Sequence, residues 1–122
     1  MEHTPCRIAV IEDSPEYLAA IELALTTLPE AVLVGTADTA AAGIRLVDRA
    51  NPDLLLLDVF LKQGTGIEVL QHFQCQSRPM AIAVMTNAPS PELEQYCRRL
   101  GAAAFYDKAE GFEWVARMAA HH

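Results

Sequence analysis

Long apolar runs are missing from this chain. Nothing approaches the roughly 18 to 20 consecutive apolar residues that span a bilayer, and no membrane association is expected. Positive charge is also scarce: nine Lys and Arg stand against sixteen Asp and Glu, a formal charge of −7 with a pI near 4.9. Nucleic-acid binding normally needs a basic face, so direct contact with DNA or RNA is not expected. Acidity by itself names no partner. The three cysteines, Cys6, Cys75 and Cys97, are odd in number, widely spaced and without a C-x-x-C or metal-ligand pattern. Reduced thiols without a structural disulfide are the expectation. Residues Met1 to Pro5 lack the basic n-region and long h-region of a signal peptide, which makes a cytoplasmic setting the expectation. The terminal His121 and His122 are assigned no chemistry.

What is present is the composition of one folded domain. The chain has 122 residues, 52% apolar and 20% charged, enough to bury roughly two-thirds of its unfolded surface in a single core. One domain over 1–122 is expected, with a core from about 7 to 118 and flexible tails at 1–6 and 119–122. Its most informative stretch is Pro52-Asp53-Leu54-Leu55-Leu56-Leu57-Asp58-Val59-Phe60-Leu61. A short apolar run between turn signals suits a strand buried on both faces of a parallel sheet, and a buried helix segment has the same pattern. As a strand, the run delivers Asp58 to its carboxyl end, the edge where open α/β sheets bind ligands. The competing reading makes Asp58 the first residue of a polar loop.

The rest of the chain alternates in type. Arg7–Ile11 is a β-branched run leading into Glu12-Asp13, then Ser14 suits an N-cap and Pro15 the first helical position. Leu18, Ile21, Leu25 and Leu28 recur at helical spacing before Pro29. Ala31–Ala37 reads as a second strand, and Asp38 as the cap of a helix through Ala50 with Ala40, Ile44 and Val47 inward. Asn51-Pro52 ends that helix. After the leucine strand, Thr65 and Glu68 match a capping box for a third helix with Ile67, Leu70 and Phe73 on its apolar side. Met80–Met85 is a fourth strand ending on Thr86-Asn87. Ser90-Pro91 opens a fourth helix lined by Leu93, Tyr96, Cys97 and Leu100, with Gly101 as its left-handed stop. A fifth strand over Ala102–Tyr106 leads to Asp107-Lys108, and a last helix runs from about Glu110 to Met118, with Phe112, Val115 and Met118 or Ala119 inward. Five strands alternating with five helices predict a doubly wound, five-stranded parallel sheet.

In that fold the strand ends converge. Glu12 and Asp13 follow the first strand, Asp58 ends the third, Thr86 the fourth, and Lys108 follows the fifth. Clustered carboxylates repel unless a cation offsets them. Hard oxygen donors of this kind suit Mg²⁺, with Lys and Thr as partners for phosphoryl oxygens and one carboxylate as a nucleophile.

Together these motifs resemble a response regulator receiver domain, a flavodoxin-like (βα)5 fold, over about Arg7 to Met118. They are Glu12-Asp13, Leu54 through Asp58, the segment Asp58 through Gly66, Val84-Met85-Thr86, and Gly101-Ala102 through Phe105-Tyr106-Asp107-Lys108. The resemblance implies a signalling phosphoacceptor of a two-component or phosphorelay system that catalyses only its own phosphorylation and dephosphorylation. Asp58 would accept the phosphoryl group from a sensor histidine kinase or a histidine phosphotransfer protein. Mg²⁺ or Mn²⁺ would be held by Asp13, by Asp58, by the backbone carbonyl of Phe60, and by Glu12 through a water. Lys108 would pair with Asp58 at rest and with the phosphoryl group afterwards. Thr86 and Phe105, with Tyr106 as the neighbouring alternative, would switch the face formed by the fourth helix, fifth strand and fifth helix. That face is a candidate for self-association.

Three positions depart from the family pattern. Lys62 and Ala109 stand where prolines are common, and Asn87 where a small residue is usual. Lys62 and Asn87 are therefore candidates for tuning the site, and Ala109 puts the placement of Lys108 in question. The alternative function is a pseudo-receiver, a phosphorylation-independent binding module. A flavodoxin-like binder or phosphohydrolase is disfavoured. The turn Glu12-Asp13-Ser14-Pro15 is no phosphate cradle, and Asp58-Val59-Phe60 has no second aspartate. Kinase, stimulus and output are not written in the chain, nor is whether it stands alone or is part of a longer protein.

Overall fold

In the computed structural model, which describes residues 4–121, strands and helices alternate along the chain. They are β1 Cys6–Ile11, α1 Pro15–Thr26, β2 Ala31–Ala37, α2 Ala40–Ala50, β3 Leu54–Asp58, α3 Gly66–Gln74, β4 Ala81–Thr86, α4 Pro91–Arg99, β5 Ala104–Asp107 and α5 Glu113–Ala120, with a 3-10 turn Lys108–Glu110 before α5. The five strands form one sheet in the order β2-β1-β3-β4-β5, every pair parallel. β3 lies in the middle, which is why Leu54 through Leu57 are all buried. Alternate leucines serve opposite layers. Leu55 and Leu57 join Leu46, Val69, Leu70, Phe73 and Cys97 from α2, α3 and α4. Leu54 and Leu56 join Ile21, Leu25, Trp114 and Val115 from α1 and α5.

Hydroxyl caps start four of the helices. The Oγ or Oγ1 atoms of Ser14, Thr39, Thr65 and Ser90 accept from the amides of Tyr17, Ala42, Glu68 and Leu93 at 3.1–3.2 Å. The cap of α2 is thus Thr39 and not Asp38. Thr39 has the extended backbone that an N-cap needs, whereas the exposed Asp38 carboxylate faces Lys62 at 4.0 Å. Asn51, left-handed at φ 49°, closes α2.

Several boundaries also move. β4 runs Ala81–Thr86, so Met80 lies outside it and Thr86 inside. β5 starts at Ala104, because the Ala102 amide is taken by Cys97 O at the end of α4. α5 begins at Glu113, not Glu110. Asp107 and Glu110 form a reciprocal capping box around the 3-10 turn, and Gly111 at φ 80° breaks the chain away from it. On α3 the buried set is Gly66, Val69, Leu70 and Phe73, with Ile67 only partly covered. On α2, Gly43 and Leu46 are buried with Ala40 and Val47, and Ile44 is at the margin. Tyr96 is exposed, while the unassigned Trp114 is buried, stacks on Tyr106 at 4.1 Å and donates from Nε1 to Gly111 O.

The core extends beyond the expected limits at both ends, since Cys6 and Ala119 are fully buried in β1 and α5. Residues 1–3 and 122, which fall in the expected tails, lie outside the described residues. Among the described residues no helix is long and apolar enough to cross a membrane. All three cysteines are free. Burial, with the Asp53 charge adding, pushes the Cys6 thiol up to about 11, and burial also raises Cys97. Neither is a reactive thiolate.

Gly66 ties this frame to the carboxyl edge. A Cβ there would stand 2.4 Å from Asp58 O and 2.9 Å from Val59 Cα, both backbone atoms that cannot swing aside. The Gly66 amide also donates to Val59 O at 2.8 Å. Gly66→Ala is expected to cost roughly 1–3 kcal/mol, the usual range for overpacking. Urea denaturation of the two proteins measures it, and coincident midpoints would mean that the approach is not tight.

Candidate active site

The polar residues at the carboxyl edge come from four strands. Glu12 follows β1 directly, its amide bonded to Ala37 O at 2.9 Å, which holds the residue in line with the sheet. Its side chain folds down and is 1% exposed. Glu12 Oε2 accepts from the Ser14 amide at 3.0 Å, so the cap of α1 also orients this carboxylate. Asp13, next along, is half-buried. Asp58 closes β3 opposite Met85 of β4 and is 4% exposed. The Phe60 amide reaches its Oδ1 at 3.4 Å.

Lys108 enters from beyond β5 with a side chain 6% exposed. Its Nζ stands 2.6 Å from Glu12 Oε1 and donates to Asp58 Oδ2 at 3.1 Å. The resting pair expected between Lys108 and Asp58 is therefore formed, and Glu12 shares it. The peptide bonds of the described residues are all trans, that of Ala109 included. The capped 3-10 turn holds Lys108 in place on this trans backbone.

Carboxylate oxygens of Glu12, Asp13 and Asp58 all lie within 4.8 Å of one another. One ammonium against three carboxylates leaves the site negative. Burial, then the hydrogen bond and charge of Glu12, push Asp58 up to about 7 from 3.8, with Lys108 pulling the other way. A buried, under-compensated group of oxygen donors suits a hard divalent cation.

Thr86 is fully buried at the end of β4, its hydroxyl accepting from the Ala88 amide at 3.1 Å. Phe105 and Tyr106 point to opposite sides of β5. Phe105 packs half-buried on the layer of α2, α3 and α4, while Tyr106 packs on the layer of α1 and α5. Three expected residues are exposed, unlike the buried acids. Phe60 is 60% exposed, in an isolated bridge with Thr65. Asn87 is exposed, and the exposed Lys62 is engaged with Asp38.

Sequence reasoning missed Tyr17. Its ring centroid lies 4.6 Å from Lys108 Nζ, and its phenol is pushed up to about 12 by burial and by the charges of Glu12, Asp58 and Asp107. The available signal was the row Tyr17, Ile21, Leu25 at a spacing of four, which places Tyr17 on the inner side of α1 nearest the carboxyl edge.

The family model of the response regulator receiver domain matches residues 8–119. The chain belongs to that family. This receiver is 33% identical over 106 residues to a protein-glutamate methylesterase/protein-glutamine glutaminase of Gluconobacter oxydans, covering 85% of this chain and 30% of that protein. It is 26% identical over 113 residues to the virulence transcription regulator BvgA of Bordetella pertussis, covering 93% of this chain and 54% of that protein. The receiver thus spans from under a third to about half the length of these relatives. In structure it is similar to the signal receiver domain of the response regulator NarL from Mycobacterium tuberculosis. The TM-score is 0.89 at 23% identity, covering 97% of this chain and 95% of that one.

Proposed function

We propose that this receiver takes a phosphoryl group onto Asp58 from a phosphohistidine of a partner kinase or phosphotransfer protein. The observation that carries this reading is the Asp58 carboxylate itself. It is 4% exposed at the carboxyl end of the central strand, beside two further acids, and held by Lys108 at 3.1 Å. In the transfer, an Asp58 carboxylate oxygen forms the new O–P bond as the N–P bond of the donor breaks, and the imidazole leaves with the bonding pair.

The three acids fit Mg²⁺ or Mn²⁺; Asp13, Asp58 and the Phe60 carbonyl would hold it, and Glu12 would act through a water. When bound, the cation supplies charge neutralisation for the transferring phosphoryl group. The protein's own groups do the rest. Lys108 moves its ammonium from the Asp58 carboxylate to a phosphoryl oxygen. Thr86 turns its hydroxyl, which accepts from the Ala88 amide at rest, to donate to a phosphoryl oxygen, and Phe105 follows into the space behind it. Its packing beside α4 supports Phe105, rather than Tyr106, as the residue whose movement reshapes the α4–β5–α5 face. That face is the proposed contact with an output domain or a second copy.

Acetyl phosphate with Mg²⁺ tests the reading without a kinase. Intact-mass spectrometry should show one added phosphoryl group on the wild-type protein and none on Asp58→Asn. An adduct that survives the substitution would remove Asp58 from the role. An unmodified wild-type protein would favour the pseudo-receiver.

A further inference from the structure

Tyr17 packs on the site without a part in the chemistry above. Its place is set by the first turn of α1, where its amide donates to Ser14 Oγ at 3.2 Å. On one side the ring lies against Lys108, Nζ to centroid 4.6 Å. It also meets Phe112, centroid to centroid 5.4 Å with the planes tilted by 44°. The Tyr17 hydroxyl is buried and makes no hydrogen bond, so the contribution of this residue to the site comes through its ring.

Lys108 needs such a contact. Its backbone sits in a turn of three residues, between the Asp107–Glu110 capping box and the positive-φ Gly111. Four methylene groups separate that backbone from the ammonium, which must stay between Glu12 and Asp58. An aromatic face beside a desolvated ammonium attracts it and limits the rotamers of its stem. We infer that Tyr17 is a positioning residue for Lys108, its ring face holding the ammonium between Glu12 and Asp58 while Phe112 supports the ring. This rests on the reading of Asp58 as phosphoacceptor, and it adds a residue from α1 to the machinery of the β5–α5 loop.

Tyr17→Leu and Tyr17→Phe test it with two readouts. In the metal-free protein the ε-methylene protons of Lys108 should show an upfield ring-current shift by NMR, kept in Tyr17→Phe and lost in Tyr17→Leu. Phosphoryl uptake from acetyl phosphate with Mg²⁺ should slow roughly tenfold in Tyr17→Leu, the loss of one cation–π contact. It should stay within about twofold of wild type in Tyr17→Phe. Phe112→Leu, which leaves the ring in place and removes its support, should reduce the Lys108 shift and slow uptake by a smaller factor. It also serves if Tyr17→Leu fails to fold. A Lys108 shift and uptake rate unchanged in Tyr17→Leu would overturn the inference. So would a Tyr17→Phe protein as slow as Tyr17→Leu, which would assign the role to the hydroxyl. Should the wild-type protein take up no phosphoryl group, the phosphoacceptor reading fails, while the NMR shift still decides whether Tyr17 holds Lys108.

Discussion

Replacing Lys108 with methionine is expected to cost the metal-free protein about 3–5 kcal/mol of stability near pH 8, the usual penalty for removing one partner of a buried ion pair. The Lys108 ammonium is the cation shared by Glu12 at 2.6 Å and Asp58 at 3.1 Å, and both carboxylates are almost fully buried. Without it they face one another with no counter-charge. Lys108 also pulls Asp58 down from where burial and Glu12 would place it, so its loss raises the Asp58 pKa further. As the pH falls, Asp58 takes up a proton and the repulsion relaxes. The stability gap between the two proteins should therefore narrow from about pH 8 to about pH 5. Mg²⁺ should narrow it as well, because the site without the ammonium is more negative, binds the cation more tightly and is stabilised more by it. Urea denaturation with and without Mg²⁺ at the two pH values measures all of this. A gap that is small and independent of pH would show that the Lys108 pairs contribute little.

Asp58→Asn is expected to act in the opposite direction, stabilising the metal-free fold while it abolishes phosphoryl uptake. In the folded protein Asp58 is raised from 3.8 to about 7, with burial as the largest cause and Glu12 next. Below the unfolded value both states hold the proton and the group is neutral in the balance. Between the two values the folded state keeps a proton that the unfolded chain has released, so each rise in pH favours unfolding. Above about 7 the penalty is complete. The asparagine side chain removes it and leaves Lys108 paired with Glu12. The stability advantage of Asp58→Asn should be near zero at about pH 4, grow through the window, and level off at about 2–4 kcal/mol above it. Parallel denaturation series of the two proteins across that range provide the check. An advantage already present at pH 4, or one that shrinks as the pH rises, would be the wrong sign. A buried carboxylate that costs the fold stability is a common arrangement where a charged group is kept for a purpose other than packing.

Much of the fold was legible because burial demands leave a local record. Leu54 through Leu57 could only be continuous apolar sequence if the strand was covered on both faces, as the central position of β3 requires. Hydroxyl caps and following prolines marked α1 and α4 residue by residue, since capping is a contact between near neighbours. The order of the acids, the threonine and the lysine along the chain was enough to indicate a receiver, because a parallel sheet sends every strand's carboxyl end to the same rim.

Other features turned on choices between near neighbours, or on contacts between distant segments, that the sequence pattern does not record. The expected cap of α2, Asp38, gave way to Thr39, whose hydroxyl takes the Ala42 amide. The start of α5 was decided by a capping box and a positive-φ glycine that split one expected helix into a turn and a helix. Local pattern was enough to predict a doubly wound sheet in which a carboxylate ends the leucine strand and two more acids, a threonine and a lysine accompany it. The sharing of Lys108 between Glu12 and Asp58, the opposite layers of Phe105 and Tyr106, and the packing of Tyr17 against the lysine emerge from the folded chain. The reason is physical: strand and helix patterns repeat over a few residues, whereas the position of an ammonium 4.6 Å from a ring depends on how α1 and the β5–α5 loop pack together.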